Sequence, residues 1–99
     1  MRSTWIIMKI QQKDDGKTGM FFIEQEDEIL AELVYSWRGK DRIIIEHTEV
    51  DDILKGKGAG KELVAKSVEF AREKGIKVIP VCSFAKSIFE KTKEYEVVL

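Results

Sequence analysis

Apolar residues in the first half of the chain fall into short runs divided by turn residues, and in the second half they change once to a helical spacing. Residues 5–12 begin with Trp5, Ile6, Ile7 and Met8 and then alternate, which predicts a strand. The Asp-Gly pair within 14–19 supplies a hairpin turn, and 19–24 reads as the second strand. A polar turn without glycine, 25–28, precedes an ambiguous segment. Over 29–37 the residues Leu30, Leu33, Val34 and Trp37 would also suit a short helix. The aromatic end and the flanking turns favour a strand in a meander. A further hairpin at 38–41 leads to a fourth strand, 42–50. From 60 to 74, Leu63, Val64, Ser67, Val68 and Ala71 recur at three- and four-residue spacing, opposite a charged face, and predict an amphipathic helix. Gly75 ends it. Residues 76–82 form a fifth strand, Ser83 is a candidate N-cap for a last helix over 84–93, and 95–99 reads as a short extended tail.

Antiparallel strands followed by strand–helix–strand predict an α+β fold. Its sheet should be mixed and mostly antiparallel, with about five strands, a right-handed crossover that sets strands four and five parallel, and a C-terminal helix. Pro80 lacks a backbone donor, so the fifth strand cannot be paired on both sides there; where Pro80 interrupts the parallel pair, the two strands part near their C-terminal ends and open a cleft. With 99 residues and no linker or repeat, the whole of 1–99 is expected to be one minimal domain.

Composition narrows the setting. Seventeen basic and 18 acidic side chains leave a net charge of −1, which argues against a nucleic-acid partner. One cysteine allows no internal disulfide and no cysteine-based metal spacing. The sequence has no run of about 20 apolar residues and no signal-like start, so no membrane partner is expected and a cytoplasmic location is.

The most distinctive stretch is the turn between the fourth strand and the long helix, Lys55-Gly56-Lys57-Gly58-Ala59-Gly60-Lys61. Glycines interleaved with lysines at a helix N-terminus form an anion site, since free N–H groups and the positive end of the helix dipole face one point. Two nucleotide motifs are excluded. A Walker loop needs a glycine where Lys55 stands and a hydroxyl where Glu62 stands, and the third glycine comes one residue early for a dinucleotide fingerprint.

The turn does resemble the acyl-CoA-binding loop of the GCN5-related N-acetyltransferases, whose pattern is Arg/Gln-x-x-Gly-x-Gly/Ala, with Lys55 in place of Arg or Gln. His47-Thr48-x-Val50 upstream, and Gly75, Pro80-x-Cys82 and Tyr95 downstream, extend the likeness over about half the chain. They look like the small single-domain members, which lack the helices usual after the first strand. The resemblance implies an N-acetyltransferase that moves an acetyl group from acetyl-CoA to a primary amine by direct attack, without a metal. It implies that Lys55, Gly56, Lys57, Gly58, Ala59, Gly60 and Lys61 hold the coenzyme A phosphates, and that the backbone of Val50 pairs with the pantetheine arm. His47, expected from strand alternation on the face of Ile43 and Ile45, would be the base or would order a water chain. Glu46 or Glu49 could also serve as base, and Tyr35, Trp37 and Tyr95 could line the acceptor side. Larger members carry Asn-x-x-Ala-x-x-x-Tyr where this chain has Cys82 and, at the tyrosine, Phe89. Cys82 then becomes the candidate acid, or a transient acyl carrier. The donor is a small molecule and the amine acceptor is unspecified; exposed sheet edges make a homodimer a further expectation. A module that binds coenzyme A or senses acyl groups without efficient turnover is the alternative, and a third is an interaction domain whose basic turn meets RNA or protein.

Overall fold

The computed structural model describes residues 9–99. Five strands, β1 (Ile10–Asp14), β2 (Thr18–Gln25), β3 (Glu28–Arg38), β4 (Arg42–Val50) and β5 (Lys77–Pro80), form one sheet in the order β1-β2-β3-β4-β5. The first four pair antiparallel, and β4 and β5 are parallel. The ambiguous segment is a strand. The part of the predicted first strand at 5–8 lies outside the described residues.

The helices α1 (Ala59–Lys74) and α2 (Ser83–Lys91) cover one face. Phe21, Ile23, Leu33, Tyr35, Ile43 and Ile45 of the sheet meet Leu63, Val64, Val68 and Ala71 of α1 and Ala85, Ile88 and Phe89 of α2 in a single core. The spacing of those α1 residues puts them on one stripe, so burial by the sheet rather than helix propensity holds the helix. Two details differ from expectation. Cys82, not Ser83, is the N-cap of α2. The chain end is a 3₁₀ segment, Lys93–Val98, rather than extended, because Tyr95 packs on Phe89 at 5.4 Å between ring centroids and Val98 turns into the core.

Two irregularities shape the sheet. The β4–β5 pairing runs only from Arg42↔Lys77 to Ile45↔Pro80. The N–H groups of Val81 and Cys82 then both donate to the Ile45 carbonyl, at 3.2 and 3.1 Å, as the chain turns away. The strands part just after Pro80, and β4 continues to Val50 with a bare edge. Because the N–H groups of Lys77 and Val81 turn toward β4, the Pro80 nitrogen faces the outer edge of β5, and its missing donor is not what ends the pairing. The second is a bulge: Val34 pairs with His47 but Tyr35 pairs with Ile45, leaving Glu46 as the extra residue. A bulge reverses the alternation of all that follows. Ile43 and Ile45 are buried, yet His47 is exposed on the opposite face, and it is Thr48 and Val50 that continue the inward side. The expected placement of His47 beside Ile43 and Ile45 is therefore wrong.

At the far end of the core, Tyr35 is fully buried. Its hydroxyl donates to Asp14 at 2.5 Å and accepts from Gln12 at 2.8 Å, while the Trp37 indole also donates to Asp14. Tyr35 and Trp37 thus belong to this cluster, at the β1–β2 hairpin end of β3, the opposite end of that strand from Leu30 and Ala31, which pack beside Val50. Gly19 is what admits the tyrosine: a Cβ there would stand 2.4 Å from its ring and hydroxyl. Gly19→Ala should cost roughly 1–3 kcal/mol by overpacking, read as a lower urea midpoint at an unchanged slope; a loss below about 0.5 kcal/mol would mean that Tyr35 relocates freely.

Candidate active site

The bare edge of β4 is where the chemistry-bearing residues gather. After Val50 the chain makes a 3₁₀ turn, Asp52–Leu54, capped by Asp51, and enters the glycine-lysine turn. Gly58, at φ 77°, is the N-cap of α1 and offers no side-chain cap. The first N–H groups of the helix have no intrahelical partner. The three glycines have different jobs. Gly56 and Gly58 take left-handed conformations, and a Cβ on either would meet nothing within 4 Å. Gly60 has an ordinary helical conformation, and a Cβ there would strike the Phe84 ring at 2.6 Å. Only the first two serve the turn itself. Val50, Leu54, the turn and Phe84 line a cleft of about 470 Å³.

Cys82 faces this edge from the start of α2. Its sulfur is 3.6 Å from the Thr48 hydroxyl. Partial burial pushes the thiol up, but the N–H groups of Ala85, Phe84 and Thr48 and the Thr48 hydroxyl outweigh it and hold the thiol below its ordinary value. The direction of those donors also defines the edge. Asp51 N–H donates to the Leu30 carbonyl of β3. Strand alternation then turns the N–H groups of Val50 and Thr48 the other way, out of the sheet and into the gap left by β5.

The opposite face carries a different set. Glu32 and Glu49 are directly paired across β3 and β4, and the His47 Nε2 lies 3.2 Å from the Glu32 carboxylate. One ligand atom from each of the three falls within 4.8 Å of the others, the one grouping among the described residues that could hold a metal ion. Glu32 and Glu49 continue with Ile29, Val50 and Asp51 into a notch of about 280 Å³. His47 and Cys82, paired in the sequence reading, are therefore not brought together: Thr48 contacts Cys82 and its neighbour His47 faces away. Val50 lines both the glycine-turn cleft and the acidic notch. Glu46 bonds to Ser36 at 2.5 Å instead of facing the notch, and Tyr95 packs on Phe89. Sequence reasoning missed Glu32 and Phe84, and it named Thr48 only within the motif, without a role at the site.

The family model described as GCN5-related N-acetyl-transferase matches residues 20–98. The chain belongs to that family. N-acetyl transfer is the general activity of the family, and the mixed five-strand sheet is its fold. A GCN5-like protein from Staphylococcus aureus, solved by NMR, is 40% identical and superposes with a TM-score of 0.73 over 92% of this chain and 86% of its own. The ribosomal-protein-alanine N-acetyltransferase of Brucella melitensis biovar Abortus, at 15% identity, shares the fold with a TM-score of 0.64 over 78% of this chain and 62% of its own. Protein NATD1 of Xenopus tropicalis is 35% identical over 52 residues, 52% of this chain and 48% of its own. The match thus spans about half the length of that relative.

The donors around Cys82 make a direct prediction. Because they favour the thiolate, the pH midpoint of Cys82 alkylation by iodoacetamide should lie below the ordinary value of 9.0 and move upward in Thr48→Val. An unchanged midpoint in that variant would remove Thr48 from the site.

Proposed function

We propose that the protein transfers an acetyl group from acetyl-CoA to a primary amine by direct attack, with donor and acceptor meeting at Val50. The observation that carries this reading is the shared wall: the anion turn's cleft and the acidic notch adjoin at one residue, Val50, on a strand edge that β5 has left. Lys55, Lys57 and Lys61 supply charge around the turn, and the N–H groups of Gly58 to Lys61 take the pyrophosphate. The pantetheine arm runs along bare β4 as a strand would, accepting from Val50. The same edge donors stabilise the thioester carbonyl as it becomes an oxyanion.

The acceptor comes from the other face. Glu32 and Glu49 repel each other across the sheet, and an ammonium group between them relieves that repulsion. A lysine-like amine is neutral in only about one molecule in 10³ at pH 7. His47, held by Glu32, takes the proton directly or through water. The amine nitrogen then bonds to the acetyl carbon, the carbon–sulfur bond breaks, and the coenzyme A thiolate receives a proton from Cys82 or from water. In this scheme the acetyl group never resides on the protein.

A thermal-shift comparison tests the donor: acetyl-CoA and coenzyme A should raise the melting temperature and ATP should not. Equal shifts with all three would reduce the turn to a generic phosphate site. Turnover is read as thiol release from acetyl-CoA across an amine library. Cys82→Ala should lower kcat by about 10²-fold or more while coenzyme A affinity stays nearly intact, and undiminished turnover would take Cys82 out of the mechanism. Glu49→Gln should raise the KM for the amine and leave that for acetyl-CoA alone. Binding of coenzyme A with no thiol release from any amine would favour the second reading, a module that senses acyl-CoA without turnover.

A further inference from the structure

Phe84 has no place in that scheme, yet its position is constrained from two sides. Among the described residues six large apolar side chains are well exposed, and four of them, Ile29, Ile53, Val81 and Phe84, lie on the segments that frame the gap beyond Ile45 and Pro80. Phe84 is the only one of the four that lines the glycine-turn cleft. Its ring is 39% exposed and rests where the side chain of residue 60 would otherwise be. Glycine within a helix is less favourable than alanine by about 1 kcal/mol. Gly60 needs no unusual φ, and what a side chain at that point would meet is the far edge of the Phe84 ring. Phe84 is also two residues from Cys82, and its N–H is one of those that stabilise the thiolate. One aromatic residue therefore touches the first turn of α1 and belongs to the first turn of α2.

We propose that Phe84 is a donor-positioning residue, its exposed ring forming the wall against which the apolar part of the acyl donor's arm lies between the anion turn and Cys82. The chemistry of such a donor is charged at its phosphates and largely uncharged, with a dimethyl-substituted carbon, between pyrophosphate and thioester. The turn supplies what the phosphates need. Of the residues lining the cleft, Phe84 offers the largest exposed apolar surface to the rest of the arm. Contact with Gly60 then sets how far the phosphate end sits from the sulfur of Cys82.

This inference rests on the acetyl-CoA reading, and the test separates the two. Binding of coenzyme A and of 3′,5′-ADP, which lacks the pantetheine arm, is measured by calorimetry for the wild type and for Phe84→Ala, Phe84→Leu and Gly60→Ala. Failure of the wild type to bind either compound would sink the donor reading itself. If the wild type binds coenzyme A, Phe84→Ala should weaken it by about tenfold through lost apolar contact and leave 3′,5′-ADP unchanged, with Phe84→Leu in between. Gly60→Ala should weaken coenzyme A by displacing the ring, and adding Phe84→Leu to it should restore part of the loss. In turnover, the Phe84→Ala effect should appear in the KM for acetyl-CoA more than in kcat. Undiminished coenzyme A affinity in Phe84→Ala, or an equal loss for both ligands, would overturn the assignment of the ring to the arm. A folded Phe84→Leu, checked by its melting curve, keeps the test open if Phe84→Ala unfolds.

Discussion

The Ile45 carbonyl accepts two N–H groups, from Val81 and Cys82, and the site depends on that bifurcated end to the β4–β5 pairing. Had β5 continued beside β4, the N–H groups of Thr48 and Val50 would be spent on a ladder and the sheet would be closed. The Ile45 oxygen instead takes the first two donors after Pro80, whose own nitrogen faces the outer edge of β5. The chain can then leave β4 without stranding polar groups. The departure also sets Cys82 at a helix N-terminus facing Thr48. Cleft, donors and thiol follow from a single interruption of a ladder.

The bulge at Glu46 has a complementary effect. Without it, His47 and Glu49 would point into the apolar core with Ile43 and Ile45, at a desolvation cost that only pairing could offset. With it, the core side of β4 continues as Thr48 and Val50, and the titratable groups turn outward. One strand thus presents a backbone-donor edge between two chemically different faces. That division suits a reaction between an anionic, thioester-bearing donor and a cationic amine, which gain nothing from sharing one charged surface. The predicted placement of His47 failed because no residue type in 42–50 marks a bulge. It arises from fitting β4 to β3, with Glu46 taken up by Ser36.

Other parts were legible for identifiable reasons. Strand order, the crossover and the α1 stripe follow from periodicity. The parting of β4 and β5 was legible in its place, near Pro80, but not in its cause, since the two N–H groups that converge on the Ile45 carbonyl end the pairing. The turn at 55–61 was readable because glycine and lysine recur there with no apolar residue but Ala59. The separate role of Gly60 was not readable, since its partner Phe84 lies 24 positions away and exposed phenylalanines carry no signature. Glu32 was hidden for a similar reason: only the register of β3 against β4 brings it to His47 and Glu49. The 3₁₀ chain end escaped because Tyr95-Glu96-Val97-Val98 has strand-like composition, and tertiary packing on Phe89 overrides it.

Phe89 makes the proton path to the leaving sulfur a question of substitution. At the position where larger relatives are expected to carry a tyrosine, this side chain has no hydroxyl and is buried against Tyr95. No acid can act from there. Cys82 stands at the other end of α2, and its thiol is held below the ordinary value by helix-end donors and Thr48. An acid of that kind is closer in strength to a departing thiol than a phenol is, and proton transfer is most effective between groups of similar affinity near the working pH. The same donors that make Cys82 a suitable acid also stabilise the thiolate it leaves behind. In the proposed scheme, the phenylalanine at 89 and the cysteine at 82 are one arrangement, with the acid at the N-cap of α2 instead of in its last turn.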